Sequence, residues 1–568
     1  MTPTFNSILP FRSGGFESLR EALDYAALGE TGLNFFNSRG FLERAVSYRE
    51  LRDRARMGAN WLLNRGIRPG SRVALIGETG PDFLVFFYAC QYGGFIPCPL
   101  PGRLPIGSPE AYICQLKRFL GQVRANLVLV PLRMLDTVRE AVKSVDGLAL
   151  MSYEEALDAQ ALESTEDASI DNEVAYIQFT SGSTSAPKGV VITQRALMEN
   201  ASAIAAHGLT MREADRAFSW LPFYHDMGLV GFSVVALCAQ RSVDYIAPAS
   251  FAARPALWLR LMSLQGSTIT YAPAFCWHIA AQRAAVADDL NLTSLRVAGI
   301  GGDLVRVDLL EACAEILSAF EFDPNAFQPS YGMAEATLAI SMSEVGQPLH
   351  IEEVIISASG SGDLIATPVA SDNGGRKVVS SGRALPGVEI RVCTAEGIPL
   401  PDRHVGHLWV RGPSIMNHYV DALGLSDNVQ DTDGFFRTGD VGYLNCGEVF
   451  VTGRAKDMLA LNGRNIWYAD VEHVAEAESP LGPGDTVAFA IERSGQELLV
   501  LLVQRRIAEG LARETFRSRL KEVVFNALGV IAEIHFVPAR SIPVTTSGKL
   551  VRHLAREHFL SSSSTRGT

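Results

Sequence analysis

The stretch Phe179–Val191, "FTSGSTSAPKGVV", gathers hydroxyl side chains, small residues and one cation, Lys188, behind a strand-like run at Tyr176–Thr180. Gly182 and its neighbours Thr180, Ser181, Ser183 and Thr184 are slim enough to let backbone N–H groups approach an anion. The spacing is not that of the common nucleotide-triphosphate loop, GxxxxGK[ST], which needs Gly before the Lys and a hydroxyl after it. Here Lys188 stands between Pro187 and Gly189. Taken alone, the stretch fits a phosphate cradle and a Ser-rich turn with one surface lysine about equally.

The elements that must hold such a loop can be read from the rest of the chain. At 568 residues, two or more domains are expected, and 47% hydrophobic with 20% charged residues describes a packed globular protein. Fifty Lys and Arg against 62 Asp and Glu give a net charge of -12, which argues against nonspecific nucleic-acid binding. Eight cysteines are dispersed without a CxxC pair, as expected of reduced thiols rather than a disulfide or zinc framework. The N-terminal stretch has no signal-like pattern and no apolar run is long enough to cross a bilayer, so the expected location is the cytoplasm.

Helix-like "YRELRDRARMGANWLLNRG", with Gly66 as its stop, alternates with strand-like "SRVALIG" and "ANLVLVP", the pattern of an α/β layer on parallel strands. From about Gly382 short β runs ("GVEIRV", "GHLWVRG", "GEVFVTG") predict a strand-rich closing subdomain. The last hundred or so residues, with "LARETFRSRLKEVVFNALG" between "LLVLLV" and "EIHFVP", predict a small α/β domain ending in a disordered tail at 561–568.

The loop is followed in order by "WLPFYHDMGLVG", "YGMAEATL", "FRTGDVGY", "GRAKDM" and "TTSGKLVR". This series resembles the adenylate-forming enzymes over nearly the whole chain, and most of all the fatty acyl-AMP ligases, with Ala334 where many relatives have Thr. The resemblance implies a large N-terminal adenylation domain (1–453), a hinge at 454–456 centred on Lys456, and a mobile C-terminal lid (457–560). It also implies activation of a fatty or related carboxylic acid by ATP and Mg2+, with pyrophosphate released and acyl-AMP formed.

Under that resemblance Thr180, Ser181, Gly182, Ser183, Thr184 and Lys188 hold the β- and γ-phosphates. Glu335 is the magnesium ligand, a hard carboxylate for a hard cation. Tyr331 lies against adenine with Gly332 and Met333, and Gly301, Gly302 and Asp303 form the other side of that slot. Asp440 accepts the ribose hydroxyls and Arg454 reaches ribose or phosphate. Lys549 carries the mobile positive charge for the transition state, and His225 stands near the acyl carboxylate, with Asp226 either fixing its tautomer or holding the loop. Pro273, Phe275, Cys276 and Trp277 are expected in the acyl wall.

Glu335 and Gly382 are 47 positions apart (382 − 335), longer than the link usual in acyl-CoA ligases. The extra residues, about 344–377, match the place of an insertion that obstructs the coenzyme A route in fatty acyl-AMP ligases. The expected acceptor is therefore the phosphopantetheine thiol of an acyl carrier protein in lipid, polyketide or lipopeptide assembly. An acyl-CoA ligase is the alternative, and a noncatalytic adenylate-binding relative ranks below it. Arg513, Arg517 and Lys521 share one helix face that fits either an acidic carrier or a solvated face paired with Glu514 and Glu522. Tyr468 and Ala469 depart from the family pattern in the region presented during thioester formation.

Overall fold

The computed structural model describes residues 9–103, 109–143, 145, 147–160, 170–180, 188–284, 290–358, 363–369, 375–421, 424–426, 428–461, 464–493, 496–507, 509–544 and 550–564. The early alternation resolves into parallel α/β layers. Helix Tyr48–Asn64 starts at Ser47, whose hydroxyl accepts from Glu50 N, and the chain leaves it through Gly66 at φ +78°. Helix Pro81–Gly93 is apolar on all sides because it is enclosed on all sides, from Phe83 to Gly93. Strands Ile96–Pro101, Arg72–Gly77, Leu127–Val130 and Ala149–Ser152 form one parallel sheet.

A second sheet has a parallel core in the order Gly32–Phe36, Ser242–Ile246, Arg216–Ser219, Ile269–Ala272, Val297–Ile300, Phe327–Gly332. The carboxyl ends of parallel strands are where such sheets present ligand sites. Val297–Ile300 runs straight into Gly301 and Gly302, and Phe327–Gly332 itself carries Tyr331 and Gly332.

Beyond Phe327–Gly332 the sheet turns antiparallel. Strand Ile351–Ala358 pairs with Leu364–Pro368, which pairs in turn with His404–Arg411. Phe436–Asn445 and Glu448–Arg454 follow, and then Arg376–Ala384, which pairs back onto Ile351–Ala358. These six strands close into a ring filled by Val354, Ala366, Val378, Val405, Tyr443 and Phe450. The segment expected as an insertion is thus no loose loop: its two hairpin strands complete the barrel. Glu352 anchors the hairpin, accepting from Arg403, Tyr443 Oη and Asn445 Nδ2.

The C-terminal residues fold around their own sheet, Thr486–Arg493, Gln496–Val503 and Ala532–Phe536. Helices Tyr468–Glu476 and Leu511–Leu528 supply Val471, Ala475, Leu520 and Val524 to one side of it; Ala555, from helix Arg552–Ser564, and Ile542, ahead of that helix, pack with Val487, Phe489 and Ile491 on the other. Arg306 Nη1 reaches Glu476 Oε2 at 2.7 Å, and Arg376 Nη2 reaches Asp470 Oδ1 at 3.2 Å, tying this unit to the rest. The expected tail is corrected in part. Helix Arg552–Ser564 continues through the serine run, where Ser561 and Ser562 hydroxyls donate to the carbonyls of Glu557 and Phe559. Residues 565–568 lie outside the described residues.

Candidate active site

One cleft of about 1020 Å³ is lined by the described residues expected to serve phosphate, adenine, ribose, metal, acyl carboxylate and hinge, with Asp303 the exception. Strands Val174–Phe179 and Gly189–Thr193 pair antiparallel, and Thr180 N donates to Lys188 O at 3.1 Å, so the two residues close the neck of the loop. Both line the cleft. Ser181, Gly182, Ser183 and Thr184 lie outside the described residues.

Lys188 Nζ stands 4.9 Å from the ring centre of Tyr419, within cation–π range. The Tyr419 hydroxyl donates to Glu335 Oε1 at 2.9 Å. Tyr419 reaches this point because its short strand pairs with the strand leaving the loop, Tyr419 opposite Val190. Glu335 sits in a single turn, Ala334–Ala336, directly after Phe327–Gly332. Burial pushes its carboxyl above the ordinary glutamate range, and the Tyr419 hydroxyl acts against that shift. Tyr419 was missed in the sequence, where "NHYVD" carries no motif; its aromatic ring in a β-like run was the sole signal.

Tyr331 Oη donates to Asp440 Oδ2 at 2.8 Å. Asp440 is opposite Arg454 in the register of the hairpin Phe436–Asn445/Glu448–Arg454, and Arg454 Nε lies 3.5 Å from Asp440 Oδ1. Asp440 is only 9% exposed, so the carboxylate is held by its partners rather than by bulk water. Gly332 must lack a side chain, since a Cβ there would fall 1.9 Å from Leu338 O. Gly301, Gly302, Gly332 and Met333 all line the cleft. Asp303 does not: it is exposed, and its Oδ1 accepts from Leu304 N at 2.9 Å.

His225 lines the cleft and its Nδ1 is 2.6 Å from Asp226 Oδ1, the arrangement that fixes an imidazole's orientation. Lys456 also lines it, in the turn Ala455–Asp457 that leaves the barrel; burial, then the Arg454 charge, lowers its pKa. Lys549 is outside the described residues. The residues bracketing its segment, Val544 and Leu550, pair as a bridge, and Val544, Val551 and His553 line the cleft.

The same cleft is also lined by hydrocarbon, its apolar arm, including Leu209, Met211, Phe232, Val235, Ile269 and Met342. Two π-helical turns, Ile204–Gly208 and Leu229–Val234, border it, a helix irregularity common at functional sites. The expected acyl wall is corrected here. Among Pro273, Phe275, Cys276 and Trp277, none lines the cleft; Cys276 and Trp277 are buried behind it. Trp277 packs 4.5 Å from Trp258 and donates Nε1–H to Gly299 O at 3.1 Å, so this aromatic run is core. The basic helix face is also engaged locally: Arg517 bonds Glu514 at 2.5 Å, and Arg513 and Arg517 lie over Phe536.

Residues 27–420 match the family described as AMP-binding enzyme. A relative from Caulobacter vibrioides, provisionally named an acyl-CoA synthetase, is 39% identical, covering 99% of this chain and 98% of its own. The medium-chain-fatty-acid–[acyl-carrier-protein] ligase JamA of Moorena producens is 28% identical over 98% of this chain and 95% of its own. Among solved structures, a chain from a study of fatty acyl-adenylate ligases from E. coli and L. pneumophila superposes with a TM-score of 0.90 at 36% identity, covering 98% of this chain and 100% of that one. Together with a cleft built from the ordered motifs, these matches mean that the chain belongs to the AMP-binding enzyme family, as an adenylate-forming ligase with fatty acyl-adenylate ligases among its structural neighbours.

Proposed function

We propose that this protein is a fatty acyl-AMP ligase that activates a fatty acid with ATP and hands the acyl group to the phosphopantetheine thiol of an acyl carrier protein. The observation that supports this reading is that one cleft is lined both by Lys188, Glu335, Asp440 and Arg454 and by the hydrocarbon side chains of the apolar arm. A carboxylate presented from the arm would meet the α-phosphate at the polar end. The main barrier is the approach of two anions, so positioning and charge neutralisation carry most of the catalysis.

In this reading Lys188 and the loop Thr180–Thr184 hold the leaving pyrophosphate. Tyr331, Gly332 and Met333 face adenine, opposite Gly301 and Gly302. Asp440 shares its carboxylate between the Tyr331 hydroxyl and the ribose, with Arg454 alongside. His225, held by Asp226, orients the acyl carboxylate. Lys549 supplies the positive charge between carboxylate and phosphate, and Lys456 is the pivot that withdraws it after adenylation.

Magnesium suits the donor set. Glu335 is a partly buried carboxylate whose near neighbour is a neutral hydroxyl, a position that a hard cation would compensate. Among the described residues no group of three or more His, Cys, Asp or Glu gathers around a single point, so phosphate and water would complete the shell. Bound there, the ion would neutralise phosphate charge, while Glu335 holds it and Tyr419 orients Glu335.

Pyrophosphate release across a panel of carboxylic acids, followed by incubation with holo carrier protein or coenzyme A side by side, tests the proposal. The expected result is release with fatty acids and an acyl mass increment on the carrier. The name of the Caulobacter relative favours the other acceptor; a coenzyme A thioester as the main product would establish that one instead. Absence of pyrophosphate with every fatty acid would refute both.

A further inference from the structure

Three glycines lie in or beside the π-helical turns that border the apolar arm; at two of them a Cβ would crowd a neighbour, the end of the Met342 side chain at Gly208 and backbone at Gly228. A Cβ at Gly208 would stand 2.3 Å from Met342 Sδ, and one at Gly228 would stand 2.3 Å from Pro222 O. Gly231 is different. A Cβ there meets Leu338 Cδ2 at 3.5 Å, an ordinary contact, and nothing else within 4 Å. Glycine inside a helix is disfavoured by about 1 kcal/mol relative to alanine, so its presence where a side chain has room runs against local preference. Leu229, Val230, Ser233 and Val234 are buried outside the cleft lining, whereas Gly231 and Phe232 line it.

Its place along the cleft matters too. Gly231 is six residues beyond His225 and faces Leu338, three residues beyond Glu335; all four line the cleft. Gly231 thus lines the same cleft as these polar groups and the hydrocarbon side chains. Building on the proposed fatty-acid activation, we infer that Gly231 sets the bore of the acyl arm: the missing side chain leaves a passage beside Leu338 through which an extended aliphatic chain threads. The substrate class is then an unbranched fatty acid long enough to pass this point. A side chain at 231 would partition the arm and leave room for short acids.

The test compares wild type with Gly231→Ala and Gly231→Leu, measuring kcat/KM for pyrophosphate release with unbranched acids from butanoate to hexadecanoate. Circular dichroism melts check folding; if the leucine variant does not fold, the alanine variant decides. The readout is the ratio of kcat/KM for the longest acid that wild type accepts to that for butanoate. One displaced methylene is worth on the order of 10- to 200-fold in a hydrophobic pocket, so the ratio should fall by at least that range in Gly231→Leu and by less in Gly231→Ala. Profiles parallel to wild type in folded variants, or an equal loss at every chain length, would overturn the inference. Wild type that releases no pyrophosphate with any fatty acid would instead overturn the proposed function, a result visible before any variant is made.

Discussion

Replacing Asp440 by Asn changes the charge of one carboxylate while keeping its shape. In the free protein Oδ2 accepts the Tyr331 hydroxyl at 2.8 Å, and Oδ1 faces Arg454 at 3.5 Å. If a bound ribose adds two hydroxyl donors, the asparagine offers one neutral oxygen and an amide that cannot accept. A hydrogen bond to a charged group is worth about 1.5–3 kcal/mol and a neutral one about 0.5–1.5, so two ribose bonds weaken by ~2–3 kcal/mol together. That predicts a loss on the order of 30- to 150-fold in kcat/KM for ATP. The assay is pyrophosphate release with ATP varied at saturating fatty acid and then the reverse, using ATP and 2′-deoxy-ATP with both proteins. Wild type should lose activity with the deoxy analogue, whereas Asp440→Asn should barely distinguish the two nucleotides. Equal discrimination by both proteins, or a rise in fatty-acid KM with ATP KM unchanged, would refute the ribose assignment.

Tyr419→Phe should lower kcat by roughly tenfold or more, because Glu335 loses a hydrogen bond to a charged acceptor worth about 1.5–3 kcal/mol; an unchanged rate of pyrophosphate release would remove Tyr419 from the site. Lys549→Ala should slow adenylation on the order of 10²- to 10³-fold, as loss of one strong electrostatic donor does, and normal ATP–pyrophosphate exchange would exclude it. Lys456→Pro should slow carrier loading more than adenylation when the two steps are timed separately; equal slowing counts against a pivot. Trp277→Ala should reduce stability by about 3–5 kcal/mol in urea unfolding, the usual cost of deleting a buried tryptophan. The chain-length preference of folded Trp277→Ala should match wild type, and a shifted preference would restore that helix to the acyl wall.

Most of the candidate polar end was legible because its groups, Tyr419 excepted, sit in local motifs. Tyr331, Glu335, Asp440 and Arg454 occupy short runs whose glycines and neighbouring residues carry the resemblance, and the fold brings those runs to one cleft. Tyr419 was not legible, since its role depends on strand pairing with Val190, more than two hundred residues away, and nothing local marks that register. The apolar arm was misassigned because "FCWHIA" looks the same whether its aromatic faces meet ligand or core; tertiary packing of Trp277 on Trp258 and Phe327 decides for core. The π-helical turns were also hidden, as one inserted residue per turn leaves the apolar character of "GLVGFSV" unchanged. The small C-terminal domain was clear from its order of strand, helix and strand, but the serine helix was not, because serine is a neutral helix former whose outcome rests on hydroxyl bonds to preceding carbonyls.

The closed barrel has a consequence for shortening this protein. Removing Ile351–Pro368 to imitate a relative with a briefer link would leave Arg376–Ala384 and His404–Arg411 each with a row of unanswered backbone donors and acceptors. Such raw strand edges recruit other chains. A trimmed protein is therefore expected to associate or precipitate before its acceptor preference can be measured. Substitutions on the outer face of the hairpin, with the strands left in place, are the way to ask what this segment contributes to acceptor choice.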